Sequence, residues 1–129
     1  MAQDNVDVIE SAWAAFRRGD IDAAIEMVDA SCELVAPETL PWGGTYVGPD
    51  GFRQFFEKIS ENFEQFKPVP EKVLGADDDH VIVVVRLTGQ TKKGNEVEAD
   101  VVWIYRLRGG KVVSAQPFTD TARMLEALG

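Results

Sequence analysis

The chain has 129 residues, 45% hydrophobic and 27% charged, the balance of a folded globular protein rather than a disordered one. Its 13 Lys and Arg against 22 Asp and Glu give a formal net charge of −9, a sign that opposes nucleic-acid backbones and anionic membranes. A single cysteine, Cys32, excludes an internal disulfide and a cysteine–histidine metal site, and the longest apolar run, Val81–Val85, is too short to span a bilayer. The length predicts one domain over residues 1–129. Residues 1–7 lack the basic-then-apolar pattern of a secretion signal, so a reducing, cytoplasmic setting is expected.

In chain order, Val6, Ile9, Trp13 and Phe16 recur at helical spacing and predict an amphipathic helix over 5–18, capped by Asp4 or Asn5 and stopped at Gly19. Asp20 caps a second helix with Ile21, Ala24, Ile25 and Val28 on one face. Cys32–Ala36 alternates as a short strand. The segment Pro37–Gly51, P-E-T-L-P-W-G-G-T-Y-V-G-P-D-G, holds three prolines and four glycines, so turns set its backbone. It also carries Glu38, Leu40, Trp42 and Tyr46, more than a connector needs, and a loop both rigid and aromatic is expected to wall a small-molecule site. A short strand is predicted at Thr45–Val47. Pro49 then opens a third helix whose Phe52, Phe55, Phe56, Ile59 and Phe63 read as a core stripe rather than a cofactor box.

Strands dominate the remainder. The first, 67–76, is pushed to a sheet edge by Pro68 and Pro70. His80–Gly89, Glu96–Arg108 and Lys111–Thr119 follow, joined by turn signals at Lys92–Asn95 and Gly109-Gly110. A last helix runs from about Asp120 to Leu128. The order predicts an α+β fold with helices on one face of a curved, mostly antiparallel sheet. The longest strand is apolar on both parities, Val101, Trp103 and Tyr105 against Val102 and Ile104. Both faces are therefore expected to be covered, one by helices and the other by a second copy in a homodimer.

Three stretches carry a family resemblance. A-A-F-R-R-G-D-I-D-A-A-I (14–25), P-W-G-G-T-Y-V-G-P-D-G-F (41–52) and the close G-G-K-V-V-S with F-T-D-T-A-R-M-L-E-A-L-G resemble SnoaL-like members of the nuclear transport factor 2-like superfamily. The resemblance implies a cone: a strongly bent sheet closed by three to four helices around an apolar cavity. Its members include ketosteroid isomerases, polyketide cyclases, epoxide hydrolases, dehydratases and binding proteins without catalysis, so the fold leaves the chemistry open. Aligned on the shared glycine, proline and turn positions, the tyrosine, the aspartate base and the second aspartate of the isomerases fall on Ala12, Ala36 and, within a residue or two, Trp103. The Arg-x-Asp of limonene-type epoxide hydrolases is missing from the strands. Neither design is expected here.

The candidate catalytic groups are Glu38 and Asp120. A carboxylate in an apolar pocket has a raised pKa and can take a proton beside a carbonyl, so Glu38 is either such a base or a solvated loop residue. Asp120 is either the late acid/base that the resemblance implies or a helix N-cap. Trp13, Phe16, Leu40, Trp42, Tyr46, Phe56, Trp103, Tyr105 and Phe118 are candidate lining residues, and Trp42, Tyr46, Trp103 and Tyr105 also offer N–H or O–H donors. Core or dimer packing is the competing role of Trp103 and Tyr105. Gln116 is an inward polar group in one strand parity and an outward one in the other. His80, after three aspartates, reads as a solvated turn residue. No motif for a cofactor, a metal or a phosphate is present: Gly43-Gly44 lacks the Gly-Lys-Ser/Thr ending. The readings are a small apolar carbonyl-bearing guest with cofactor-free proton transfer (isomerase, cyclase or dehydratase), a non-catalytic carrier or sensor, or an acidic protein-interaction module.

Overall fold

The computed structural model describes residues 2–129. Helix α1 spans Ala2–Arg17 and the single turn α2 Ile21–Ala24; strands β1 (Val28–Ala36) and β2 (Gly44–Val47) lead into α3 (Gly48–Ser60). Strands β3 (Phe63–Gly75), β4 (His80–Thr91), β5 (Glu96–Arg108) and β6 (Lys111–Thr119) form the meander, and α4 (Thr121–Leu128) closes the described chain. The six strands make one curled sheet in the order β2-β1-β6-β5-β4-β3, a mixed α+β cone. Among the described residues, only the β1–β6 pairing is parallel; the others are antiparallel.

Local chemistry explains most boundaries. Gly19, at φ +80°, turns the chain after α1, and the Asp20 carboxylate accepts the Ala23 amide at 3.1 Å to start α2. Helix α1 begins before the expected cap. Asn5 therefore lies within it, and its side chain donates instead to the Asp78 carbonyl at 2.8 Å, tying α1 to the β3–β4 turn. Helix α2 is shorter than its apolar spacing suggests. Val28 leaves it to open β1, because its backbone pairs with Val112 of β6. Pro68 and Pro70 lie on β3, the edge strand, where a missing N–H costs no ladder bond on the open side. The strand starts four residues earlier than its prolines suggest, at Phe63.

The core lies between the concave face of the sheet and helices α1 and α3. Inward residues alternate along β4 (Val81, Val83, Val85, Leu87) and β5 (Val97, Ala99, Trp103, Tyr105, Leu107), all below 9% exposed. Phe52, Phe55 and Ile59 of α3 meet them, and Phe55 packs edge-on to Trp103 at 5.8 Å. Met124 of α4 is 1% exposed and plugs the end of the same core.

Candidate functional site

The concave face and the helices enclose an apolar cavity of about 80 Å³. Its walls come from α1 (Ile9, Trp13, Phe16), α3 (Phe52, Phe55, Phe56) and the inward side chains of β3, β4 and β5, among them Phe66, Leu87 and Trp103. Each contributes through its period: residues three or four apart on the helices, two apart on the strands. Among the described residues, no Asp, Glu, His, Lys or Arg lines this space. A larger groove of about 960 Å³ lies beside α4, but it is open to solvent and walled by Lys67, Glu96, Glu98 and Arg123, so it lacks the enclosure of a small-molecule site.

Among the described residues, the wall carries one hydroxyl beside the indoles of Trp13 and Trp103. Tyr105, 8% exposed, brings that phenol hydroxyl to the wall. Burial, the dominant influence, pushes the phenol pKa up and so keeps the group protonated. The Tyr105 ring stacks on Trp103 with centroids 5.5 Å apart and planes 4° apart. The two are i and i+2 on β5, which puts them on one face. At the rim, Phe16 and Phe56 are partly exposed and meet at 5.0 Å.

The candidate lining residues divide into two groups. Trp13, Phe16, Phe56, Trp103 and Tyr105 come together at the cavity. Leu40, Trp42 and Tyr46 do not: all three are buried at 4–6% exposure, but in the core beside the cavity rather than on its wall. The Pro37–Gly48 loop is thus a structural plug, not the wall its composition suggests. Successive turns run from Pro37 to Leu40 and from Leu40 to Gly43. A Cβ at Gly43 would come within 2.2 Å of the Pro37 carbonyl oxygen, so the fold needs glycine there. The Tyr46 hydroxyl donates to the Trp42 carbonyl at 2.8 Å, and Trp42 rests on Phe63. The Tyr46 hydroxyl, one of the donors expected for a guest, is thus used internally.

The two carboxylates lie elsewhere. Glu38 is exposed at the loop surface, so the apolar setting that would make it a base is missing. Asp120 is exposed and accepts the Arg123 amide at 3.1 Å, the bond of an N-cap on α4. Gln116 and Phe118 point outward, Phe118 at 47% exposure. The reason is a bulge. Arg106 pairs with Ser114 while Leu107 pairs with Val112, so Val113 is an extra residue that moves Ala115 and Pro117 to the inner face. His80 hydrogen-bonds Asp77 at 2.9 Å in the β3–β4 turn, and that bond holds the Asp77 carboxyl below its usual pKa. Among the described residues, no group of His, Cys, Asp and Glu converges to hold a metal, and no helix is long and apolar enough to cross a membrane.

Comparison with known proteins decides the family, because the SnoaL-like domain profile matches residues 9–115, most of the chain. The chain belongs to the SnoaL-like family. No curated protein matches it. A nuclear transport factor 2-like protein from Burkholderia thailandensis superposes with a TM-score of 0.91 at 26% identity, covering 97% of both chains. TerC, co-crystallised with polyporic acid, superposes at 0.88 with 23% identity over 97% of this chain and 98% of its own. A putative SnoaL-like polyketide cyclase from Jannaschia reaches 0.79 at 22% identity, over 98% and 92%. The last two likenesses establish the fold alone.

The positions that the resemblance aligns with the isomerase groups hold Ala12, Ala36 and Trp103. Ala12 lines the cavity, Ala36 is 1% exposed at the end of β1, and Trp103 is a wall residue. Several wall residues carried no usable signal in the sequence. Phe66 lies ahead of the expected strand start, and Val101 and Leu87 look like any core strand residue.

Proposed function

We propose that this SnoaL-like protein binds a small, apolar, carbonyl-bearing molecule in the cone cavity without transforming it. The supporting observation is the wall itself: nineteen residues, Tyr105 the single ionisable one, and that one held protonated by burial. Proton transfer beside a carbonyl needs a base within hydrogen-bond reach. Neither Glu38 nor Asp120 lines the cavity. That favours carriage or sensing over the isomerase, cyclase or dehydratase chemistry suggested by the family and by the Jannaschia relative. TerC with polyporic acid supports a guest-binding use of this fold.

Size limits the guest. An apolar cavity of about 150 Å³ takes a benzene ring. The space of about 80 Å³ is roughly half of that, so a ring enters only if rim side chains swing aside. Phe16, Phe56 and Phe66 are the partly exposed rings of the wall, and their displacement would open it. Titration calorimetry with cyclic ketones of five to seven carbons tests the reading. Saturable binding, with quenching of Trp13 and Trp103 fluorescence, is expected; a panel that never saturates would refute it.

We also infer a homodimer through the outer sheet face. Ile82, Val84, Val102 and Ile104 form its apolar centre, with Leu74 at 50% and Phe118 at 47% exposure beside them. The edge carries both signs: Arg86 is bonded to Glu98 and Asp100 there. A patch of mixed sign can meet its own copy about a two-fold axis with opposite charges facing. Light scattering tests it, and a monomeric mass at micromolar concentration would reject it.

A further inference from the structure

The guest-binding reading leaves open what the cavity recognises besides shape, and the Tyr105 hydroxyl on its wall answers that. A phenol hydroxyl can donate as well as accept, and burial keeps the Tyr105 proton in place. The ring is held by Trp103, which stacks against it at 5.5 Å with planes 4° apart. The donor is therefore in place before a guest arrives, and little side-chain freedom is lost on binding. Elsewhere the wall is hydrocarbon, apart from the indoles and the Met27 sulfur. No lysine, arginine or histidine is there to neutralise an anion, and no carboxylate to receive a guest's own proton.

We infer that Tyr105 is the specificity-determining residue of the cavity, donating one hydrogen bond to the carbonyl oxygen of an uncharged guest, and that the site rejects carboxylates. The inference rests on the guest-binding reading. It adds a claim about one atom: the phenol oxygen of Tyr105 is the polar contact, with its ring positioned by stacking on Trp103. Guests without an acceptor bind by shape alone. A buried carboxylate would lose its hydration with nothing to pair it.

The test uses a matched pair, cyclohexanone and methylenecyclohexane, in which a CH₂ group replaces the carbonyl oxygen. Affinities are measured by calorimetry for the protein and for Tyr105→Phe, which keeps the ring and its stacking on Trp103. The variant is expected to weaken cyclohexanone about three- to tenfold and to leave methylenecyclohexane within about twofold. Cyclohexanecarboxylate at pH 7 is expected not to bind. In the unmodified protein, the infrared C=O stretch of bound cyclohexanone is expected at lower frequency than in hexane, a readout that needs no variant. Equal weakening of both probes, or an unshifted C=O stretch, would overturn Tyr105 as the anchor and leave guest binding standing. Saturable binding of the carboxylate would overturn the claimed rejection of anions. Failure of the unmodified protein to bind either probe would remove guest binding and this inference together.

Discussion

Phe16 of α1 and Phe56 of α3 meet with ring centroids 5.0 Å apart and planes inclined at 38° at the rim of the cavity. Both are partly exposed, whereas Phe55, one residue away, is 1% exposed and fixed in the core. Phe56→Ala is expected to widen the cavity and to speed uptake and release of cyclohexanone together. The stability loss should be about 1–3 kcal/mol, below the 3–5 of a fully buried phenylalanine. Stopped-flow fluorescence and urea denaturation read the two effects. Unchanged rates would show that guests pass elsewhere.

Tyr46 and Trp42 hold the proline-glycine loop from within. Tyr46→Phe leaves the buried Trp42 carbonyl without its donor. It should cost about 1–2 kcal/mol and leave guest affinity unchanged, since neither residue lines the cavity. Denaturation and calorimetry on the same variant check both halves. A large loss of affinity at full stability would return the loop to the binding site.

Asp120 caps α4, and Glu38 is exposed. Asp120→Ala should lower stability by about 1 kcal/mol, and Glu38→Gln by less than about 0.5 kcal/mol. Neither should alter guest binding. If a reaction is found whose rate falls a hundredfold in either variant at unchanged folding, a carboxylate takes part after all.

Cys32 is 0% exposed. Burial, with Asp29 and Glu33 adding to it, pushes its thiol pKa up from 9.0 to about 11. Burial pushes Tyr105 in the same direction. Both groups hold their protons more tightly folded than unfolded, so the folded state binds more protons above the ordinary thiol value. Their stabilising difference is intact below pH 9 and lessens as pH rises from about 9 towards 11. Urea midpoints at pH 7, 9 and 10.5 should fall in that order, and Cys32→Ala should flatten the first part of the decline. Thiol reagents at pH 7 should modify Cys32 only in denaturant.

Ile104 lies at the centre of the outer sheet face, paired with Ile82 on one side and Gln116 on the other. Ile104→Arg should convert a dimer into a monomer without changing the circular dichroism spectrum. A dimer that survives this substitution uses another surface.

Much of this fold could be read along the chain, and the reasons are local. Glu96–Arg108 and Lys111–Thr119 match β5 and β6 because Gly109-Gly110 marks the turn between them. Pro68 and Pro70 placed β3 at an edge, since a residue without an N–H fits there. Asp20 and Asp120 marked helix starts for the same kind of reason. The opening misreadings were long-range in origin. Val28 has helical spacing to Ile21, Ala24 and Ile25, yet pairing with β6, far along the chain, draws it into a strand.

The site depended almost wholly on such distant terms. Apolar periodicity put Trp13, Phe16 and Phe56 on the buried side of their helices, but it left Trp103 and Tyr105 between core and outer face, because β5 is apolar on both parities. It could not say that they face one another, nor that Trp42 and Tyr46, equally buried, face somewhere else. An extra residue at Val113 reversed the side taken by Gln116 and Phe118, and a bulge leaves no mark in composition. The sequence alone determined a helix-covered, curved sheet and its greasy inner face, since those follow from period and turn chemistry. Only the tertiary structure decided that the hollow is free of acids and that a tyrosine shares it, because packing between distant strands and helices determines which buried groups share a space.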